Sequence, residues 1–137
     1  MLGTLIVKKT VRARFKAIER GDLEGVISVF GDDAALLYPT HGTIQGKNAI
    51  RAFYRHFLET FPKVEVAVHH IGVENLFDLV GTNVVTAQWD IATTNRGGTT
   101  FRQTGIQLIE MTRARVTRMQ YFFWDTESLR HAWKESE

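Results

Sequence analysis

The apolar residues of this chain follow two different periods, and the change comes at Pro62. Before it they recur every three or four residues, the repeat of a helix with one buried face. Val7, Val11, Phe15 and Ile18 predict a first helix over about Leu5 to Arg20. Gly21 stops it, and Asp22 can cap a second helix by accepting from the free amides of its first turn. That second helix buries Leu23, Val26, Ile27 and Phe30 and is expected to end near Gly31. Ala34 to Tyr38 reads as a short strand stopped by Pro39, and Thr40-His41-Gly42-Thr43 as a turn. After Gly46 a third helix carries an unbroken stripe of Ile50, Phe53, Tyr54, Phe57, Leu58 and Phe61, and Pro62 ends it.

Beyond Pro62 the period becomes two. Val64, Val66 and Val68 alternate with polar or small residues, as in a half-exposed strand. Val84 to Thr94, Thr99 to Thr112 and Val116 to Asp125 are longer strand candidates. Asn95-Arg96-Gly97-Gly98 and Thr112 to Arg115 supply hairpin turns between them. A short helix over about Thr126 to Lys134 follows. Helices grouped early and strands grouped late predict an α+β domain spanning residues 1–137.

Composition narrows the function classes. Hydrophobic residues make up 44% of 137, enough for a core without covalent staples, and the absence of cysteine removes disulfides and thiol chemistry. No apolar run is long enough to span a bilayer, and no secretory leader is legible, so the expectation is a cytoplasmic protein without a membrane partner. The net charge of +2 is scattered, and no nucleic-acid motif accompanies it. Lys8, Lys9, Arg12, Arg14, Lys16 and Arg20 are read as a solvated face of the first helix rather than a phosphate-binding stripe. No spacing of histidines and carboxylates suggests a metal site, and His69 and His70, being adjacent on a strand, point to opposite faces. His41, in the turn after the first strand, is read as a solvated loop residue.

GDLEGVISVFGDDAALLYP followed by GTIQGKNAIRAFYRHFL resembles the SnoaL-like and ketosteroid isomerase branches of the nuclear transport factor 2-like superfamily, and VTRMQYFFWDTESL resembles that family's last strand and terminal helix. The resemblance implies a strongly curved antiparallel sheet wrapped around N-terminal helices. This cystatin-like α+β barrel would enclose a cone-shaped apolar pocket and end in a short C-terminal helix. It also implies a homodimer through the outer face of the sheet. Members include isomerases, polyketide cyclases, epoxide hydrolases, dehydratases and proteins without chemistry, so the fold is implied more firmly than the activity.

Carried over residue by residue, the isomerase chemistry is missing. The tyrosine donor of that branch falls at Phe15, the aspartate base at Tyr38, and the aspartic acid donor at Gln107. Phe15 cannot donate, Tyr38 with an ordinary pKa of about 10 is a poor base at neutral pH, and Gln107 offers only an amide. The limonene epoxide hydrolase branch needs paired carboxylates, but its final-strand aspartate falls near Phe122, and Asp90 has no evident partner. The SnoaL-like cyclases need one well-placed carboxylate, for which Asp90 and Asp125 are available.

Strand alternation separates these two. Val85, Ala87, Trp89 and Ile91 form the apolar face of their strand, which turns Asp90 outward. Met119, Tyr121, Phe123 and Asp125 share the face that the resemblance places inward. Asp125 is therefore the candidate catalytic residue, with a helix N-cap as its competing role, since Thr126, Glu127 and Ser128 follow it. The expected substrate-binding wall comprises Phe15, Tyr38, Tyr54 and Phe57, together with Trp89, Gln107, Met119, Tyr121 and Phe123. The reading is a protein that takes a small apolar molecule. If it is an enzyme, the chemistry is cofactor-free proton transfer: isomerisation, cyclisation or dehydration of a carbonyl compound. The alternative is a non-catalytic binding or dimerisation module.

Overall fold

The computed structural model describes residues 2–75 and 81–137. Its elements are α1 (Leu2–Arg20), α2 (Leu23–Ile27), β1 (Phe30–Tyr38), β2 (Gly42–Gln45) and α3 (Lys47–Thr60), then β3 (Lys63–Asn75), β4 (Thr82–Thr94), β5 (Thr100–Thr112), β6 (Arg115–Phe123) and α4 (Thr126–Ser136). The strands form one curved sheet in the order β2-β1-β6-β5-β4-β3. All neighbours run antiparallel except β1 and β6, which pair in parallel, Leu36 opposite Met119.

The predicted helix punctuation is present. Gly21 takes φ +70, a conformation that costs a glycine little, and the Asp22 side chain accepts from Gly25 N at 3.0 Å. The second helix is shorter than its spacing suggests. It ends at Ile27, and Phe30 opens β1 instead, because Val116 N donates to Val29 O and Phe30 pairs with Val116 of β6. Sheet pairing has overridden a helical pattern carried by only a few residues, as tertiary context commonly does. The expected turn at Thr40–Thr43 is tighter: His41 N donates to Tyr38 O, and β2 then pairs back along β1 from Tyr38–Gly42 to Ala35–Gln45.

The late strands keep their predicted alternation and lengthen at one end. β3 runs on to Asn75, with a bulge between Val68 and His70. The Asn95 turn closes with Asn95 N donating to Thr99 O and Gly98 N donating to Asn95 O, and Arg113 and Ala114 both take positive φ in the two-residue turn from β5 to β6. β6 stops at Phe123, two residues before its expected end. The concave face of the sheet packs on α1 and α3 around Trp89, Tyr54, Ile109 and Met119, all fully buried.

One basic residue leaves the solvated face assigned to it. Arg14 is 3% exposed and faces the core, because it lies three residues after Val11 and four before Ile18 and therefore shares their stripe.

Candidate functional site

Between the helices and the sheet lies a cavity walled by aromatic rings. α1 and α3 supply Phe15, Tyr54 and Phe57, and the strands supply Tyr38, Trp89, Tyr121 and Phe123. The free space is about 40 Å³, room for a few waters at the ~10–15 Å³ each requires. α4 keeps it small. Its stripe of Leu129, Ala132 and Trp133 turns inward, and the Trp133 indole fills the mouth against Tyr38, Phe53, Phe57 and Phe61. His41 is an exposed turn residue as expected, but its ring also meets that indole edge-on at 4.5 Å, while His56 stacks on it at 5.7 Å and pairs with Glu137. Partial burial lowers the His41 pKa, which favours the neutral ring beside the indole.

Two hydroxyl systems face this apolar space. Tyr38, at the end of β1, is 5% exposed, and its Oη accepts from Trp133 Nε1 at 3.2 Å. No acceptor for the Tyr38 O–H occurs among the described residues, so that donor is unspent. Burial pushes the phenol far above its ordinary pKa, and the Trp133 bond only partly opposes this. The group therefore stays a neutral donor at any ordinary pH. The second system is a buried triangle. Arg14 Nη2 donates to Tyr54 Oη and to Tyr121 Oη, and the two phenol oxygens lie 2.6 Å apart. Burial drives the Tyr54 pKa well up against the pull of Arg14. Burial by itself would lower the Arg14 pKa, but Tyr121 and Tyr54 more than offset it, so the guanidinium remains charged.

Two of the expected wall residues stand behind the cavity rather than in it. Gln107 is fully buried one layer back, where its Nε2 donates to Met119 Sδ at 3.3 Å and its Oε1 meets no partner among the described residues. Met119 Sδ also lies 3.8 Å from Tyr54 Oη. Sequence alternation gave both the right strand face but not their depth.

Asp125 is placed differently from its expected strand face. Because β6 ends at Phe123, strand parity does not reach it. Its carboxylate accepts from Ser128 N at 3.1 Å and Ser128 Oγ at 2.7 Å, capping α4. These bonds, the Ser128 hydroxyl first, hold its carboxyl below the usual range. It lines an open groove outside the cavity wall, with Asp90, Arg102 and Trp124. Asp90 faces outward as expected, accepting from Thr104 Oγ1 at 2.7 Å and pairing with His69 Nε2 at 2.8 Å. Asp125→Ala is expected to lower the urea midpoint of unfolding, and Asp125→Asn to lower it much less, since asparagine also caps. Equal losses from both would show that capping is not the role of this side chain.

Sequence reasoning missed Arg14 and Trp133. Both signals were legible: an arginine in register with an apolar helix stripe, and a tryptophan at helical spacing from Leu129.

The SnoaL-like domain model matches residues 11–119, and the chain belongs to that family. Among solved structures, it is similar to an NTF2-like protein of unknown function from Burkholderia pseudomallei, at 19% identity and TM-score 0.75, covering 92% of this chain and 95% of that one. An LEH-like epoxide hydrolase from M. tuberculosis shares 18% identity with TM-score 0.72, covering 95% and 90%. TerC, co-crystallised with polyporic acid, shares 20% with TM-score 0.72, covering 93% and 98%. At these identities the likeness concerns the fold. No curated protein matches the chain. No helix among the described residues is long and apolar enough to cross a membrane.

Proposed function

We propose that this chain is a small-molecule-binding SnoaL-like protein whose cavity takes a compact apolar compound bearing one oxygen acceptor, the guest displacing the Trp133 indole from the mouth to gain the room that the closed form lacks. The observation that carries this reading is the unspent Tyr38 O–H inside a largely apolar, aromatic-rich enclosure. An apolar wall with a few convergent donors is the usual make-up of a ligand site. That TerC was co-crystallised with polyporic acid lends support to a small-molecule guest for this fold.

Among the described residues the wall offers donors but no base: no carboxylate, histidine, lysine or cysteine of theirs lines the cavity. Proton abstraction would have to recruit Asp125, which is occupied at the start of α4. Binding with polarisation of the ligand oxygen is therefore the favoured role, and cofactor-free isomerisation, cyclisation or dehydration is the enzymatic form it would take. A homodimer through the outer sheet face is part of the same proposal. The cross-strand pair Ile106 and Phe122 is 41% and 47% exposed there, with Trp124 at 89% just beyond.

Acetophenone and ethylbenzene, matched in size but differing in the carbonyl, provide the test by calorimetric titration. Acetophenone is expected to bind about tenfold tighter, the worth of one buried hydrogen bond of about 1.4 kcal/mol. Tyr38→Phe should remove that difference, and Asp125→Asn should preserve it. Absence of binding by both compounds would sink the reading.

A further inference from the structure

Arg14 carries a full positive charge in the core, and the described residues around it are neutral. Its Cζ lies 5.8 Å from the Phe15 and Phe30 ring centres and 5.3 Å from that of Tyr54. Its Nη2 serves the two phenols. Its Nε and Nη1 have no hydrogen-bond partner, and no carboxylate pairs with it among the described residues. Behind it a void of about 10 Å³, lined also by Val29, Ile109 and Met119, has room for one water. Rings and phenols soften the cost of burying a cation but do not cancel its charge.

The phenols carry that charge to the cavity wall, because both Tyr54 and Tyr121 line it. Their protons can be counted. Two phenols hold two protons, and one lies in the 2.6 Å contact between the oxygens. When Tyr54 donates that proton, the Tyr121 O–H is left over, and it has no acceptor among the described residues. When Tyr121 donates it instead, the proton left on Tyr54 has only Met119 Sδ, a weak acceptor. The first arrangement directs a donor backed by a guanidinium at the cavity.

From this geometry we infer that the cavity selects an acidic guest, a phenol or enol, and holds it as the anion against Tyr121 with Arg14 as its counter-charge. The inference rests on the proposed cavity reading and names the ligand class. Binding transfers the guest's proton to solvent. The protein forms no covalent bond and supplies no base. Neutral isosteres leave the guanidinium uncompensated.

The probes are 4-nitrophenol, whose two protonation states absorb at different wavelengths, and nitrobenzene, which shares its ring but cannot ionise. Bound 4-nitrophenol is expected to titrate about 1–2 units below the free compound, as an acid beside a buried cation does. Arg14→Met should abolish the shift while still binding nitrobenzene, and Arg14→Lys should restore part of it. Retained nitrobenzene binding also shows that the Met variant is folded. If 4-nitrophenol binds with an unchanged or raised pKa while nitrobenzene still binds, the anion inference falls and the cavity reading stands. If neither probe binds, both fall.

Discussion

Gly105→Ala is expected to destabilise the fold by about 3 kcal/mol, the upper range for overpacking a core. A Cβ built at this position would lie 2.5 Å from Phe122 O and 2.6 Å from the Trp89 ring. Gly105 is directly opposite Trp89 on β4 and opposite Phe123 on β6, so the indole lies over a strand position with no side chain. One contact is backbone and cannot yield cheaply. The other is a fully buried ring that would have to move into the cavity it lines. Chemical denaturation measures the loss, and the double variant Gly105→Ala with Trp89→Leu should recover part of it. A loss below about 0.5 kcal/mol, the scale of an ordinary surface change, would show that the indole does not need this space.

Trp133→Ala is expected to cost about 3–5 kcal/mol, as for other buried aromatic truncations. Trp133 is 3% exposed and touches rings from β1 and α3, so its loss both empties the cavity mouth and loosens α4. The helix is otherwise held by the small buried stripe of Leu129 and Ala132 and by polar ties: the Asp125 cap, Asn95 Nδ2 donating to Ser136 Oγ, and His56 with Glu137. The hole left is indole-shaped and apolar, and such cavities stay dry and accept aromatic guests. Adding indole should therefore raise the melting temperature of the variant by more than that of the parent, through binding to the folded state alone. A truncation without stability loss, or one unmoved by indole, would mean that Trp133 does not fill the cavity mouth.

Much of the fold was legible because long periodic segments report burial directly. The α3 stripe and the alternation of β4 and β5 each span enough residues to fix a face. Short elements were not. Phe30 fits a helix by spacing, and only its partner Val116, distant in sequence, makes it a strand residue. β2 has four residues and no buried one, so it carries no pattern of its own and is held by its register with β1. The cavity wall was largely readable from the aromatic residues of α3 and β6. Its chemistry was not. Charge groups Arg14 with its basic neighbours, whereas its position relative to Val11 and Ile18 sets its environment. Asp125 followed strand parity only as far as the strand, and the strand ends two residues earlier.

The parallel pairing of β1 with β6 also shapes how the chain can fold. β1 comes early, yet its partner on that side is the last strand, with Leu36 meeting Met119 and Phe30 meeting Val116. Until then β1 has only the short β2 hairpin beside it. The β3-β4-β5-β6 meander is built from neighbours in sequence and can form first. Docking β1 then closes one large loop, a step whose entropy must be met before its contacts form. Closure of that loop is the expected slow step of folding, and the aromatic enclosure exists only after it.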